Sequence, residues 1–415
     1  MQNPTMRHYD VLIVGAGHAG AQAAIALRQA DFEGSIAIVG DEPLPPYERP
    51  PLSKDYLSGE KDFDRILLRP ASFWAERDVN LLTGQRVETV KAEGRSVQLA
   101  SGETLTYGAL VWAAGGAARR LTCAGADLDC VLTLRTRDDA DRLMAGMAEA
   151  REVVIIGGGY IGLEAAAVLR TAGKIITVVE AQDRVLARVA GERLSRVYEA
   201  RHRAEGVDIR LNTQVDRLIG VEGRVAAVQL ADGERLPAQL VIAGIGVSPQ
   251  VAPLIAAGAE GGNGVHVDEF CQSSLPGVYA IGDCAAQITP FADGQRARLE
   301  SVQNANDQAN TAARHIAGRP RPHDAAPWFW SNQYDLRLQT IGLSAGHDLA
   351  IERGDLASGS GSIVYLKQGR VIALDCVNAT RDYVQGRKLV LCGAMPDLAR
   401  LADASVALKD LAGDD

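Results

Sequence analysis

Val11-Leu12-Ile13-Val14-Gly15-Ala16-Gly17-His18-Ala19-Gly20 and Val153-Val154-Ile155-Ile156-Gly157-Gly158-Gly159-Tyr160-Ile161-Gly162 follow one plan. A short β-branched run enters a glycine turn, and an alanine-rich helical pattern leaves it. In that setting the first glycine makes the tight turn. The second lets the backbone approach a pyrophosphate, and the third lets helix and strand pack closely. The pyrophosphate then meets the unpaired N–H groups of the helix N-terminus. One such motif is weak evidence, because a glycine turn between strand and helix can bind nothing. Two copies, each with an acid downstream, say more. Asp41 and Glu180 end the next apolar runs, 26 and 23 residues after the leading glycine. That is near the roughly 20 residues expected of an acid that holds a ribose hydroxyl. Two dinucleotides in one chain imply one tight prosthetic group and one exchangeable partner, FAD and a nicotinamide.

The chain has 415 residues, enough for two or three domains. Its net charge of −9 does not favour nucleic acid as a partner. No apolar run approaches the roughly 20 residues of a membrane span. The first ten residues carry no apolar stretch of the secretory kind. The six cysteines (123, 130, 271, 284, 376 and 392) form no C-x-x-C pair. Reduced, mostly buried thiols in a cytoplasmic protein, with no metal site, are the expectation.

Residues 8–44 read as strand, glycine turn, helix (Ala21 to Ala30) and strand. A proline-dense stretch from Pro43 to Lys54 follows, unable to continue a helix or a ladder. It reads as a stiff surface linker or, given Arg49 and Lys54 within it, as a loop held against a ligand. Residues 79–111 read as short antiparallel strands. The segments Leu105 to Gly115 and Leu236 to Gly244 end alike, so the βαβ-plus-meander plan occurs twice. The second copy, residues 119–245, is read as inserted into the first. The resulting domains are 1–118 and 246–325 (FAD-binding), 119–245 (NADH-binding) and 326–415 (α+β). A helix is expected from Val302 to Ala317, and strands from Leu336 to Leu343, Ser362 to Leu366 and Arg370 to Val377.

Five further stretches matter together: Pro50-Pro51-Leu52-Ser53-Lys54, Ile155 to Glu164, Ala280-Ile281-Gly282-Asp283-Cys284-Ala285, Glu300 to Ala305, and Pro327-Trp328-Phe329-Trp330-Ser331-Asn332-Gln333-Tyr334. As a set and in this order they resemble the two-dinucleotide flavoprotein reductases. Within that group the chain is most similar to the ferredoxin reductases of bacterial oxygenase systems, the putidaredoxin-reductase and biphenyl-dioxygenase-reductase type. The resemblance implies an α/β fold with two Rossmann-like domains, glutathione-reductase-like, and a C-terminal α+β domain.

It also implies site residues. FAD would meet Gly15, Gly17, Ala19, Gly20, Ala114 and Gly115. Asp41 would hold the adenosine ribose, with Arg49 and Lys54 near the flavin and Val87 and Arg135 in further contacts. Asp283 would meet the ribityl–phosphate part, where its alternative role is a helix N-cap. Val302 would offer its backbone N–H to the pyrimidine edge, where a helix N-terminus stabilises negative charge. The nicotinamide cofactor would take Gly157, Gly159, Tyr160, Ile161, Gly162, Glu180, Arg188 and Gly246. Glu180 accepts both ribose hydroxyls of NADH and repels the 2′-phosphate of NADPH. Arg184 and Arg188 are cations within reach of such a phosphate.

Glu164, read as lying in the first turn of its helix, either answers the helix dipole or pairs with Lys54 at the flavin–nicotinamide junction. Lys54 is otherwise a solvated amine. Trp328 and Trp330 share one strand face. Trp330 would stand beside the isoalloxazine and Trp328 would pack. Lys54, Glu164 and Trp330 are thus the catalytic candidates.

The implied activity passes hydride from NADH to FAD and then single electrons to a two-iron ferredoxin, in a monomer or weak homodimer. Disulfide-reducing relatives need a redox cysteine against the flavin, and Asp41 to Lys54 contains none. A rubredoxin reductase and an NADH-binding redox sensor like apoptosis-inducing factor are the alternatives. Arg296, Arg298, Arg314, Arg319, Arg321, Arg337 and Lys388 are candidate contacts for an acidic ferredoxin.

Overall fold

The structure, a computed structural model, describes residues 7–412. The chain divides into two compact units and alternates between them. One takes the segments up to Glu48, Phe63–Ala117 and Ser248–Pro327. The other takes Arg49–Asp62, Ala118–Val247 and the chain from Trp328 onward.

In the first unit the strand Arg7–Val14 lies between Ile36–Val39 and Thr104–Trp112, parallel to both. Leu12 and Val14 enter one core, with Val97, Leu105 and Leu254. Val11 and Ile13 enter another, with Ala24, Leu27 and Ala309. Both faces are covered, which is why the run is continuously apolar instead of alternating. The second core is lined by alanines of the helices His18–Gln29 and Val302–Ile316. Val278–Ala280 extends the sheet beside Thr104–Trp112.

In the second unit a parallel sheet runs in the order Asp208–Arg210, Ile175–Val179, Glu152–Ile156, Leu240–Ala243, Val131–Leu132. A three-stranded antiparallel meander, Val215–Val221, Arg224–Leu230 and Arg235–Pro237, accompanies it. The C-terminal part is a five-stranded antiparallel sheet ordered Trp328–Gln333, Leu336–Gly342, Arg370–Val377, Ser360–Lys367, Leu349–Asp355. The helix Thr380–Cys392 buries Tyr383, Leu389 and Val390.

Four local features differ from the sequence reading. Val79–Leu82 is not part of an antiparallel meander; it is a parallel edge strand beside Ile36–Val39. Thr104–Trp112 is antiparallel to Ser96–Leu99 but parallel to Arg7–Val14. Leu349–Asp355 is a strand that no alternation announces. Its Arg353 is buried, because the guanidinium donates to the carbonyls of Leu401, Asp403 and Val406 and reaches Asp382. The proline-dense stretch is not a surface linker throughout. It turns into a short 3-10 helix, Pro50–Ser53, in which Pro51, Leu52 and Ser53 are buried.

Candidate functional site

In the first unit the glycine turn has the geometry a pyrophosphate needs. Gly15 stands at φ +116°, and a Cβ there would lie 2.2 Å from the carbonyl oxygen of Ala113. Its amide donates to Val39 O at 2.7 Å. A Cβ on Gly20 would lie 1.9 Å from Gly15 O, so only glycine lets the helix pack this close to the turn. Gly17 is the N-cap of His18–Gln29 and provides no side-chain cap, and the first turn holds no acid. Helix geometry gives those first amides no intrahelical acceptor, and Ala19 is the second residue of that helix.

Around the turn, Asp41 is exposed just beyond the strand Ile36–Val39. Ala114 and Gly115 follow Thr104–Trp112, and Gly115 sits at φ +62°. Asp283 is half-buried in the 3-10 turn Gly282–Cys284, and its carbonyl accepts from Arg298 at 2.9 Å. Val302 opens its helix, and Ser301 caps that helix by accepting from Asn304 N at 3.1 Å. The cap takes the third amide, and the helix supplies no acceptor for the amide of Val302. Val87 is buried in the core of the first unit.

The second unit repeats the turn. Gly157 is at φ +109°, and Cβ atoms on Gly157 and Gly162 would lie 2.5 Å from Gly244 O and 2.4 Å from Gly157 O. A Cβ on Gly159 would meet nothing nearer than 4.0 Å, so this N-cap faces open space. The helix Tyr160–Thr171 again has neither a side-chain cap nor an acid in its first turn. Glu180 accepts from Gly158 N at 2.7 Å and from Gln182 N at 2.8 Å, which fixes its carboxylate beside the turn. Gly246, at φ +101°, lies beside the Arg188 guanidinium, 3.5 Å from where its Cβ would stand.

Arg184 is not the loose cation the sequence suggested. It donates to Ala190 O, Ser195 Oγ and Ala187 O at 2.9, 2.8 and 3.0 Å and so braces its own loop. Ile161 is partly exposed on the first turn of the helix, and the Tyr160 ring lies 4.6 Å from that of Phe329.

Glu164 is in the second helical turn, not the first, so the dipole account of it falls. Its carboxylate is buried. Oε2 accepts from Lys54 Nζ at 2.5 Å and from Ser53 Oγ at 2.6 Å; Oε1 accepts from Ser331 Oγ at 2.6 Å. Lys54 is 15% exposed and Glu164 4%. A buried carboxylate needs such donors, since an unpaired charge there is very costly. Arg49 donates to Arg135 O at 2.7 Å in the same unit. Trp328 and Trp330 do share a face, their rings 5.6 Å apart. Phe329, Ser331 and Gln333 take the other face. Ser53 and Ser331 were not singled out from the sequence. Period-two reading of Trp328–Gln333 marks Ser331 as the inward residue, but nothing local names its partner 167 positions away.

Both turns therefore fit a dinucleotide: glycine where a Cβ has no room, and an uncapped helix start free of acid in front of it. The six cysteines are free thiols, with Cys271, Cys284 and Cys376 buried. Among the described residues no cluster of histidine, cysteine or acid is placed to hold a metal, and no helix is long and apolar enough to cross a membrane.

Comparison with known proteins supplies the context. Residues 9–309 match the pyridine nucleotide-disulphide oxidoreductase family, and residues 328–412 match the reductase C-terminal family. The chain is 58% identical over 407 residues to the 5,5'-dehydrodivanillate O-demethylase ferredoxin reductase subunit of Sphingobium sp., covering 98% of this chain and 99% of that one. It is 58% identical over 392 residues to a ferredoxin--NAD(P)(+) reductase of Sphingomonas sp., covering 94% and 95%. Among solved structures, the covalent putidaredoxin reductase–putidaredoxin complex matches with a TM-score of 0.94 and 39% identity, over 99% of this chain and 98% of that one.

Proposed function

The chain belongs to the pyridine nucleotide-disulphide oxidoreductase family and carries a reductase C-terminal domain, and on that premise we propose that it is the FAD-containing ferredoxin reductase of an oxygenase system. It is an NAD(P)H-dependent flavoprotein oxidoreductase, and its partner is a small iron–sulfur protein of the two-iron ferredoxin kind. One observation carries the reading. The likeness to proteins named as ferredoxin reductases runs through both nucleotide-binding regions and the C-terminal sheet, over 98% of the chain.

Bound FAD supplies chemistry no side chain has: it takes a hydride from the reduced nicotinamide and gives up electrons singly. The chain's own part is binding, orientation and charge. Residues 7–118 and 246–325, apart from Arg49–Asp62, which belong to the second unit, form the FAD-binding domain, 119–245 the NADH-binding domain and 326–412 the α+β domain. Gly15, Gly17, Ala19 and Gly20 cradle the FAD pyrophosphate, with Ala114 and Gly115 beside them, and Asp41 takes the ribose. Asp283 takes ribityl hydroxyls, and the amide of Val302 faces the flavin pyrimidine. Arg49, Val87 and Arg135 complete that set.

Gly157, Gly159, Tyr160, Ile161 and Gly162 cradle the nicotinamide cofactor, with Arg188 and Gly246 at its edge. Lys54 keeps a positive charge at the hydride junction, Glu164 holds Lys54, and Trp330 stacks there. Glu180 makes NADH the preferred donor. Its carboxylate, already held by two amides, would face the 2′-phosphate of NADPH, and Arg184 is engaged elsewhere.

The test is NADH-driven cytochrome c reduction by the FAD-loaded protein, with and without added two-iron ferredoxin. A large ferredoxin-dependent increase is expected, with NADPH much poorer. Glu180→Ala should lower kcat/KM for NADH by about tenfold or more, the loss of hydrogen bonds to a charged group, and narrow the preference over NADPH. A long-lived complex with NADH and no increase with any ferredoxin would replace this reading with a redox sensor. An increase with rubredoxin alone would make it a rubredoxin reductase.

A further inference from the structure

The Lys54–Glu164 pair rests on a longer chain of side chains. Beyond Ser331, the Gln333 amide Nε2 lies 3.2 Å from Ser331 Oγ. Gln333 Oε1 lies 2.8 Å from His202 Nε2. The Tyr334 hydroxyl lies 3.4 Å from His202 Nδ1. Ser331, Gln333 and His202 are all buried, at 0%, 1% and 0% exposure, so bulk water does not reach the bonds among them.

The proton positions follow from the charge at one end. An ionised Glu164 only accepts. Ser331 has one proton, and its 2.6 Å contact with Oε1 requires that proton to point at the carboxylate. The serine oxygen is then left to accept, so Gln333 must turn its NH₂ toward Ser331 and its carbonyl toward His202. A carbonyl only accepts, so His202 must carry its proton on Nε2. Burial, with help from the Arg201 charge, holds the imidazole below its ordinary range against the pull of Gln333 and Glu205. His202 is therefore neutral at neutral pH, and Nδ1 is left to accept from Tyr334. Every donor in the chain points toward Glu164.

We propose that Ser331, Gln333 and His202 are positioning residues for the Lys54–Glu164 pair, and that the charge on Glu164 dictates the tautomer of His202 at the far end. A lone serine hydroxyl can rotate among three staggered positions. With Gln333 on its oxygen it has one. The carboxylate is thus held by donors on both oxygens, and Lys54 is held with it. The inference rests on the reading of Lys54 and Glu164 as the pair at the hydride junction.

Nitrogen NMR of the full chain with labelled histidine tests it without turnover. The signal is assigned by its loss in His202→Asn. The expected state at pH 7 is neutral His202 protonated on Nε2. Protonation on Nδ1, or on both nitrogens, overturns the proposal. The kinetic arm uses two variants. Ser331→Ala should lower kcat for NADH-driven reduction about tenfold, the size of one hydrogen bond to a charged group, with KM for NADH within about twofold. Ser331→Thr keeps the hydroxyl and should restore kcat. An unchanged kcat in Ser331→Ala, or Ser331→Thr as slow as Ser331→Ala, overturns the proposal. Wild-type turnover with ferredoxin checks the reductase reading separately. A fast wild type with the wrong His202 tautomer fails this inference alone.

Discussion

Asp375 is the residue whose chemistry least suits its place. It lies in the strand Arg370–Val377, buried, with the Tyr365 hydroxyl donating at 2.7 Å. Burial pushes its carboxyl up to about 7, against the modest opposite pull of that hydroxyl. In the unfolded chain the value is about 3.9. Below about pH 4 the group is protonated in both states and contributes nothing to the balance. Between about 4 and 7 the unfolded chain gives up its proton more readily, so stability falls as pH rises, and above about 7 the loss is complete. Asp375→Asn keeps an acceptor for Tyr365 and removes the titration. It should gain on the wild type between pH 5 and pH 8 by an amount on the order of a few kcal/mol. Denaturant unfolding at the two pH values measures this, and a difference that does not change with pH would refute it. Nothing around Asp375 in the sequence announces its burial; Leu374-Asp375-Cys376 reads as an ordinary half-exposed strand. Lys54 and Glu164 were open to sequence reading only through motifs of residues around them. Their contact spans 110 positions, and no local periodicity encodes a pairing of that range.

The glycine turns sit at the other extreme, because backbone geometry demands the residue type and the sequence shows it. Strand, turn and helix follow within ten residues, and local sterics alone specify them. The helix Val302–Ile316 was likewise readable. Leu349–Asp355 was not, because Arg353 is stabilised by carbonyls 48 to 53 positions away. Within the second turn, the glycines do different things. A Cβ on Gly162 would clash with Gly157 O at 2.4 Å, whereas one on Gly159 would meet only open space. Gly159 also has φ −78°, which alanine adopts without strain. Gly159→Ala should therefore leave Tm within a couple of degrees, about 0.5 kcal/mol or less. It should still raise KM for NADH about tenfold or more, since the methyl group occupies the pyrophosphate's approach. Gly162→Ala should lower Tm clearly, because the helix must move off the strand. Thermal melts beside NADH titrations separate the two effects. Equal melting losses in both variants would mean that Gly159 is structural and that the turn binds nothing.

Across the whole molecule, each glycine cradle belongs to a different compact unit, and the chain crosses between the units five times. The duplication of plan was visible in the sequence. The crossing at Arg49–Asp62 was not, since a proline-dense stretch has no period by which to assign it to one core or the other. Its place follows from Ser53 and Lys54 donating to Glu164 in the second unit. Because the crossings interleave the units, neither is a contiguous piece that can be excised, and ligand assignment has to be read on the intact chain. Ligands that bind only the folded state suppress local opening near their contacts. Loading FAD should slow amide exchange around Gly15–Gly20, Ala114–Gly115 and Val302. Adding NAD(+) to the loaded protein should slow it around Gly157–Gly162, Glu180–Arg188 and Gly246. The amide of Gly158 is a sharp reporter, since it already donates to Glu180 at 2.7 Å and gains protection only if that carboxylate is further fixed by a ribose. Hydrogen-exchange mass spectrometry of three states, without ligand, with FAD, and with FAD and NAD(+), gives the two footprints. If NAD(+) protected the turn at Gly15 and left the turn at Gly157 unchanged, the assignment of cofactors to cradles would be reversed. If both footprints fell on one unit, the second fingerprint would be a packing turn, and NADH would have to be held by residues outside it.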